Sequence, residues 1–240
     1  HKALSLLSLP LNFIMIRRLF SSAILAGTLA GLAVSLLYQF TTVPLIMKAE
    51  EFENKQSADA RYATGTDKFV VHLVHNSDPK SNHSEWEPAS FVERIVYTSL
   101  TTTISGVGFA LLIVSALVIR GSSGGFRIGV LWGIGGFAAF ILAPAVGLPP
   151  ELPGMMKAEL IGRQLWWLGT AIVTATGLWI LVFYKNPSLY VLAFILLLAP
   201  HVLGAPIQHS IQSSIIPAEL AAKFSTVSIG VNFIFWLMLG

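Results

Sequence analysis

Residues 95–119 read IVYTSLTTTISGVGFALLIVSALVI, an uncharged run that ends at Arg120. About 20 mainly apolar residues cross the hydrocarbon core of a bilayer as a helix, so this stretch predicts a transmembrane helix. The whole chain agrees, because 54% of its 240 residues are hydrophobic and 11% are charged, against about 25% charged in soluble domains. These proportions exclude a disordered or fibrous chain and disfavour a soluble globular domain.

Five further stretches have the same apolar character, which predicts an all-α, polytopic membrane helix bundle of about six transmembrane helices. The fifth stretch is short, and Pro187 stands where a proline fits the first turn of a helix. The sixth becomes fully apolar only at Phe224. The predicted spans are Leu19–Tyr38, Ile95–Ile119, Ile128–Leu148, Leu165–Tyr184, Leu189–Leu203 and Pro217–Gly240.

Basic residues in the short connections predict the orientation, because cytoplasmic loops carry an excess of Lys and Arg. Such residues precede the first span and lie between the second and third and between the fourth and fifth. We therefore expect both termini inside and one long extracytoplasmic loop, residues 41–94. The basic residues that carry this expectation are Arg17, Arg18, Arg120, Arg127 and Lys185.

We expect a single integral membrane domain over residues 15–240, preceded by an N-terminal extension, residues 1–14. Met15, followed by Ile16 and two arginines, has the appearance of a membrane-protein start. A signal peptide is the alternative, but its apolar region would be shorter than this run, which favours an uncleaved anchor. The glycine pairs Gly27/Gly31 and Gly129/Gly133 allow helices to approach closely, and we expect them to serve ordinary bundle packing.

The middles of the predicted spans contain no Asp, Glu, Lys, Arg or His. Proton pumps and many transporters keep ionisable groups at that depth, so a proton relay is disfavoured, and so is an intramembrane hydrolase. The chain has no cysteine, which excludes thiolate metal sites and cysteine nucleophiles. Its basic residues are scattered, which argues against nucleic-acid binding, and it has no nucleotide-binding motif. We expect no enzyme activity.

Ionisable side chains gather instead on the predicted outer side, where imidazole and carboxylate groups together suit divalent cations such as cobalt, nickel and zinc. If the first span continues as a helix past Pro44, two glutamates three residues apart share one of its faces. The proline-rich turn at residues 149–154 would hold a third glutamate, Glu151, in a fixed place at the mouth of the bundle. The alternative is that these are solvated loop residues. The candidate metal ligands are Glu50, Glu53, Glu151, His201 and His209.

His201 follows Pro200, which cannot donate a backbone hydrogen bond and so frees a carbonyl one turn earlier. Its imidazole either binds a metal or hydrogen-bonds that carbonyl. His72 and His75 lie in a β-branched stretch that favours a strand, on which they would face opposite sides. His83 fits a solvated loop, so we assign no metal to these three.

Several motifs carry a resemblance to a known family. The most specific are Pro149-Pro150-Glu151-Leu152-Pro153-Gly154 and Pro200-His201-Val202-Leu203-Gly204-Ala205-Pro206. With Arg17-Arg18-Leu19-Phe20, Pro44-Leu45-Ile46-Met47-Lys48-Ala49-Glu50, Arg163-Gln164-Leu165-Trp166-Trp167 and Pro217-Ala218-Glu219-Leu220, they resemble the CbtA family of proposed cobalt transporter subunits. The resemblance covers nearly everything from Met15 onward, whereas residues 1–14 have no counterpart in it.

The resemblance implies a protein of the bacterial inner membrane linked to cobalt supply for cobalamin, with a small partner, CbtB, that has one span and a histidine-rich end. We therefore expect one subunit of an uptake transporter for a divalent metal cation, with cobalt as its substrate and no tightly bound cofactor. The alternative is a non-transporting membrane subunit that anchors or assembles a larger complex. The apolar span interiors favour that alternative, because a bare divalent ion gains little from them.

Overall fold

The computed structural model of this chain describes residues 2–64, 88, 90–121, 125–155, 158–206 and 215–240, without the side chains of residues 2–16 and 56–64. Within these ranges the chain is helical and has no strand, so the predicted all-α class is confirmed. The sequence favours a strand for residues 69–75, and this stretch lies outside the residues that the structure describes. The helices are α1 (Lys2–Phe40), α2 (Val43–Thr64), α3 (Phe91–Arg120), α4 (Phe126–Gly147), α5 (Leu160–Phe183), α6 (Pro187–Leu203) and α7 (Ala218–Leu239).

Five of these helices are long and apolar enough to cross a membrane: α1 from Arg17 onward, α3, α4, α5 and α7. Helix α6 has 17 residues, about 25 Å at 1.5 Å per residue, and the hydrocarbon core is about 30 Å thick. It runs antiparallel to α5, because Gly177 lies against Ala193 and Leu197 near one end and Trp166 and Ala205 meet at Gly147 near the other. Helix α6 therefore returns the chain across the bundle, close to the predicted six-span arrangement.

Helix α2 is a separate helix, so the expectation that the first span continues past Pro44 is wrong. The chain turns at Thr41 and Thr42, whose hydroxyls donate to the carbonyls of Leu37 and Tyr38. Pro44 then sits in the first turn of the new helix, where its missing N–H leaves no bond unmade. The break lets α2 fold back onto the end of the bundle.

The predicted glycine pairs are packing positions, as expected. A Cβ added at Gly27 would lie 2.5 Å from the Cα atom of Val107, and one at Gly31 would lie 2.5 Å from the Cα atom of Thr103. Only glycine fits such a close approach of α1 to α3. Gly129 and Gly133 likewise face the backbone at the end of α7.

Helix α4 contains one π-helical stretch, Ala138–Leu142, just before Pro144. Because Pro144 has no N–H, it removes the donor that the carbonyl of Phe140 would have in a regular helix. The indole Nε1 of Trp167 donates to that carbonyl at 3.2 Å. This hydrogen bond ties the π-helical stretch of α4 to α5 and so fixes the position of α5 relative to α4.

Two hydrophobic cores hold the bundle. The larger one packs α1, α3, α4 and α7 around Trp236 and Val34. The smaller one lies at the end of the bundle where α2 sits, and it joins α2, the proline-rich turn and the start of α7. Its buried members are Leu45, Ala49, Leu152, Ile216 and Phe224.

Candidate functional site

Every carboxylate whose side chain the structure describes lies at the end of the bundle that carries the smaller core, which we call the acidic end. These residues are Glu50, Glu51, Glu53, Glu93, Glu151, Glu159 and Glu219. The opposite end, which we call the basic end, has only cations among its described charged side chains: Arg17, Arg18, Arg120, Arg127 and Lys185. The bundle is therefore polarised along its axis.

Glu50 is held by an arginine at the start of α3. The Nη2 atom of Arg94 donates to Oε1 of Glu50 at 2.8 Å, and the two side chains are 23% and 31% exposed, respectively. The first turn of α3 is capped by Ser90, whose hydroxyl accepts from the N–H of Glu93. The cap fixes the helix start, and the ion pair ties it to α2.

Glu151 is held in the same way at the start of α5. Nη2 of Arg163 lies 2.8 Å from Oε2 of Glu151, and the side chains are 24% and 16% exposed. The contact is ionic rather than a well-aligned hydrogen bond, because neither Oε2 of Glu151 nor Nε of Arg163 has a hydrogen-bond partner. Glu151 is thus a partly buried, paired carboxylate and not a solvated one.

The proline-rich turn is anchored from within. Leu152 is completely buried in the smaller core, and its N–H donates to the Met155 sulfur at 3.3 Å. Gly154 has a φ of 74°, which favours glycine. These contacts fix the backbone beside Glu151, as the sequence predicted for a rigid turn.

Glu53 lies over this turn. A Cβ added at Gly154 would come within 2.8 Å of the Glu53 carboxyl carbon, so the carboxylate rests on the turn that carries Glu151. Glu50 lies one helical turn earlier on α2 and faces α3 instead. The side chain of Glu51 is 62% exposed, and its ion pair with Lys55 at 2.7 Å lowers the pKa of Glu51. The structure therefore places Glu53 against the turn that carries Glu151.

His201 is in the last turn of α6, which ends where Gly204 adopts a φ of 80°. Its Nδ1 atom is buried and has no hydrogen-bond partner. The expectation that His201 bonds the carbonyl freed by Pro200 therefore does not apply to this nitrogen. The other histidines considered, His72, His75, His83 and His209, lie outside the described residues.

No three His, Asp or Glu side chains form a group that could hold a metal ion within the part of the chain that the structure describes. Two of the carboxylates at the acidic end, Glu50 and Glu151, are paired with guanidinium groups. A further ligand for Glu50 would have to displace Arg94, and one for Glu151 would have to displace Arg163.

Below the mouth, α5 carries a row of neutral polar groups at four-residue spacing. The hydroxyls of Thr170 and Thr174 are buried without partners, as is the indole N–H of Trp166. The exposed Thr176 instead donates to the carbonyl of Ile172 at 2.8 Å. Between α7 and α1, the amide of Asn232 donates to the Tyr38 hydroxyl at 3.2 Å. The described interior is polar in places but uncharged.

Sequence reasoning missed the two arginine partners. Arg94 and Arg163 each occupy the fourth position of a helix that begins at the acidic end. That shared position was visible in the sequence, but which carboxylate each arginine meets depends on how α2 and the proline-rich turn fold back.

A helical bundle with five membrane-length helices and oppositely charged ends defines a multi-pass integral membrane protein. The chain belongs to the CbtA family: the family model described as "Probable cobalt transporter subunit (CbtA)" matches residues 16–240. The resemblance found in the sequence motifs is thereby confirmed. No curated protein and no solved structure matches the chain.

Proposed function

We propose that this protein is a subunit of a transporter that takes up a divalent cation, cobalt, across the bacterial inner membrane, with both termini in the cytoplasm. The observation that carries the proposal is the family match over nearly the whole chain. A transporter-subunit family also points away from enzyme activity.

The acidic end is the proposed site of metal capture. Glu53 and Glu151 supply carboxylate oxygens at the proline-rich turn. Glu50, one helical turn earlier on α2, and the imidazoles of His201 and His209 are the further proposed ligands. Groups that are already fixed lose little conformational entropy when they bind. Arg94 and Arg163 compensate the carboxylates while no metal is present, and a cation exchanges with them on binding.

A partner chain is the second part of the proposal. A bare divalent ion is poorly stabilised by hydroxyls and amides such as those of Thr170, Thr174 and Asn232, and a charge at membrane depth needs ionisable partners. A small single-span membrane protein with a histidine-rich end, of the CbtB type, would supply imidazole ligands. The lipid bilayer is the remaining partner.

Uptake of radioactive cobalt into proteoliposomes tests both parts. We expect little uptake by the chain alone and clear uptake when the histidine-rich partner is reconstituted with it. In the two-chain system, Glu53→Gln should reduce uptake at low cobalt concentration by roughly tenfold, which corresponds to about 1.4 kcal/mol. Glu51→Gln is the matched control, because Glu51 is on the same helix but faces solvent. Strong uptake by the chain alone would remove the need for a partner.

His201 is tested separately because its role is either ligation or structure. His201→Ala should lower uptake per folded protein, and His201→Gln, which keeps a hydrogen-bonding group, should not restore it. If His201→Ala lowers only the folded yield and His201→Gln restores that yield, the imidazole is structural. Uptake equal to that of the unmodified protein would place the capture site elsewhere on the acidic end.

A non-transporting subunit that anchors or assembles a larger complex is the second candidate. The ion-paired carboxylates favour it, because their charges are already balanced without metal. The melting temperature separates the two: a cobalt concentration 100 times the dissociation constant should stabilise a metal-binding protein by about 2.7 kcal/mol. An unchanged melting temperature at millimolar cobalt, with and without the partner, would favour the anchoring role.

A further inference from the structure

A groove of 790 Å³ opens between α3, α4 and α5 in the half of the bundle next to the basic end. Helix α4 forms its floor, α3 and α5 form its walls, and Trp236 from α7 closes it from behind. Five of its lining residues are small: Ala116, Gly135, Gly136, Ala139 and Ala175. The volume falls within the range of small-molecule pockets, about 300–1,000 Å³.

The length of the groove matches one leaflet of a membrane. Its floor runs from Ile128 to Phe140, which is about 18 Å at 1.5 Å per residue. Half of a 30 Å hydrocarbon core is about 15 Å. A partner's transmembrane helix would need a contact surface through both leaflets, so the groove fits an acyl chain better than a helix.

The mouth of the groove is positively charged. Arg120 lines it, and the guanidinium carbon lies 4.5 Å from the centre of the Phe183 ring. Neither Arg120 nor the other cations of the basic end has a carboxylate partner among the residues with described side chains. A guanidinium held in this way is free to bind the oxygen atoms of a phosphate.

We propose that this groove binds one anionic phospholipid, with an acyl chain along α4 and the phosphate on Arg120. Basic pockets between transmembrane helices on the cytoplasmic side bind anionic lipid head groups by the same physics. The proposal does not depend on cobalt transport, since the groove is at the opposite end from the carboxylates.

Native mass spectrometry of the purified full-length protein tests the proposal, with equal amounts of phosphatidylglycerol and phosphatidylcholine of identical acyl chains added in detergent. We expect phosphatidylglycerol adducts to exceed phosphatidylcholine adducts at least fivefold. Arg120→Gln should abolish that preference, and Arg120→Lys should retain part of it. The matched control is Arg127→Gln, which removes a cation from the same end outside the groove lining and should keep the preference.

A second variant fills the groove without touching charge. A Cβ at Gly135 would meet nothing within 4 Å, so Gly135→Leu should fold normally while displacing the lipid. Gly108→Leu is its control, because Gly108 also has open space around it but does not line the groove. Thermal unfolding checks that all variants are folded, so that a loss of adduct reports on the site.

Three results would overturn the proposal. One is equal retention of the two lipids by the unmodified protein. Another is equal lipid retention by Gly135→Leu and Gly108→Leu. The third is a co-purified protein that is lost on Gly135→Leu while the phosphatidylglycerol adducts persist, since the groove would then hold a polypeptide and not a lipid.

Discussion

The two ends of this bundle handle charge in opposite ways. At the acidic end, Glu50 and Glu151 are paired with Arg94 and Arg163, and a separate hydrophobic core around Leu152 holds the surrounding segments together. At the basic end, described cations such as Arg120 have no carboxylate partner there, and the helices part to leave a groove. The ion pairs of the described side chains all lie at the acidic end, and the described cations of the basic end face their surroundings without a carboxylate partner.

The difference shows that charged side chains at the two ends of one bundle need not have the same role. The paired carboxylates tie α2 and the proline-rich turn to the starts of α3 and α5. Arginines without a carboxylate partner remain available to the anionic surface of a membrane. Four experiments test this difference between the two ends of the bundle.

The largest effect is on labelling, which should be all or none. The chain has no native cysteine, so single substitutions report cleanly. We expect Asn54→Cys at the acidic end to react with a membrane-impermeant maleimide in intact cells, and Ser188→Cys at the basic end to react only after lysis. The opposite pattern would place the acidic end in the cytoplasm.

The second largest effect is expected from a substitution in the hydrophobic core of the acidic end. Leu152→Ala removes a completely buried side chain and should cost about 2–5 kcal/mol of unfolding free energy, seen as a large drop in melting temperature in nanodiscs. Leu131→Ala at the groove removes a side chain that is 60% exposed and should cost much less. Equal losses would mean that the acidic end has no core of its own.

The ion pair of Glu151 comes third. Arg163→Gln leaves a partly buried carboxylate without its partner, which should destabilise the protein by about 1–3 kcal/mol. The double variant Glu151→Gln with Arg163→Gln should recover most of the loss. Arg127→Gln at the basic end is the control and should stay within about 0.5 kcal/mol. If Arg163→Gln leaves the free energy of unfolding unchanged, the ion pair does not stabilise the fold.

The smallest effect is that of the more exposed pair. Glu50→Gln should cost about 0.2–1 kcal/mol, because solvent weakens the attraction between Glu50 and Arg94. The cost should shrink in 1 M salt, where the screening length falls to about 3 Å. Melting curves at low and high salt measure it, and a cost that is independent of salt would indicate a packing role for Glu50.

The sequence predicted the helices that cross the membrane because their signals are local. Pro187 and Gly204 mark the two ends of α6, and the uncharged run before Arg120 marks α3. It also predicted that the proline-rich turn would be rigid. The ion pairs were not predicted, because Glu50 and Arg94 are 44 residues apart and meet only after α2 folds back from α1. The groove was not predicted either, since it is defined by the spacing between helices.

The close approach of α1 to α3 has a mechanical consequence. The backbones meet at Gly27 and Gly31, and Ser35 and Ser99 are joined by a 2.7 Å hydrogen bond, so the two helices touch at these positions without a layer of large side chains between them. Sliding or tilting one against the other would create steric overlap at once, because packed interfaces change by discrete steps and not by gradual deformation. Helices α1 and α3 therefore move as one rigid body. Any change of conformation has to occur by movement of the other helices relative to this pair.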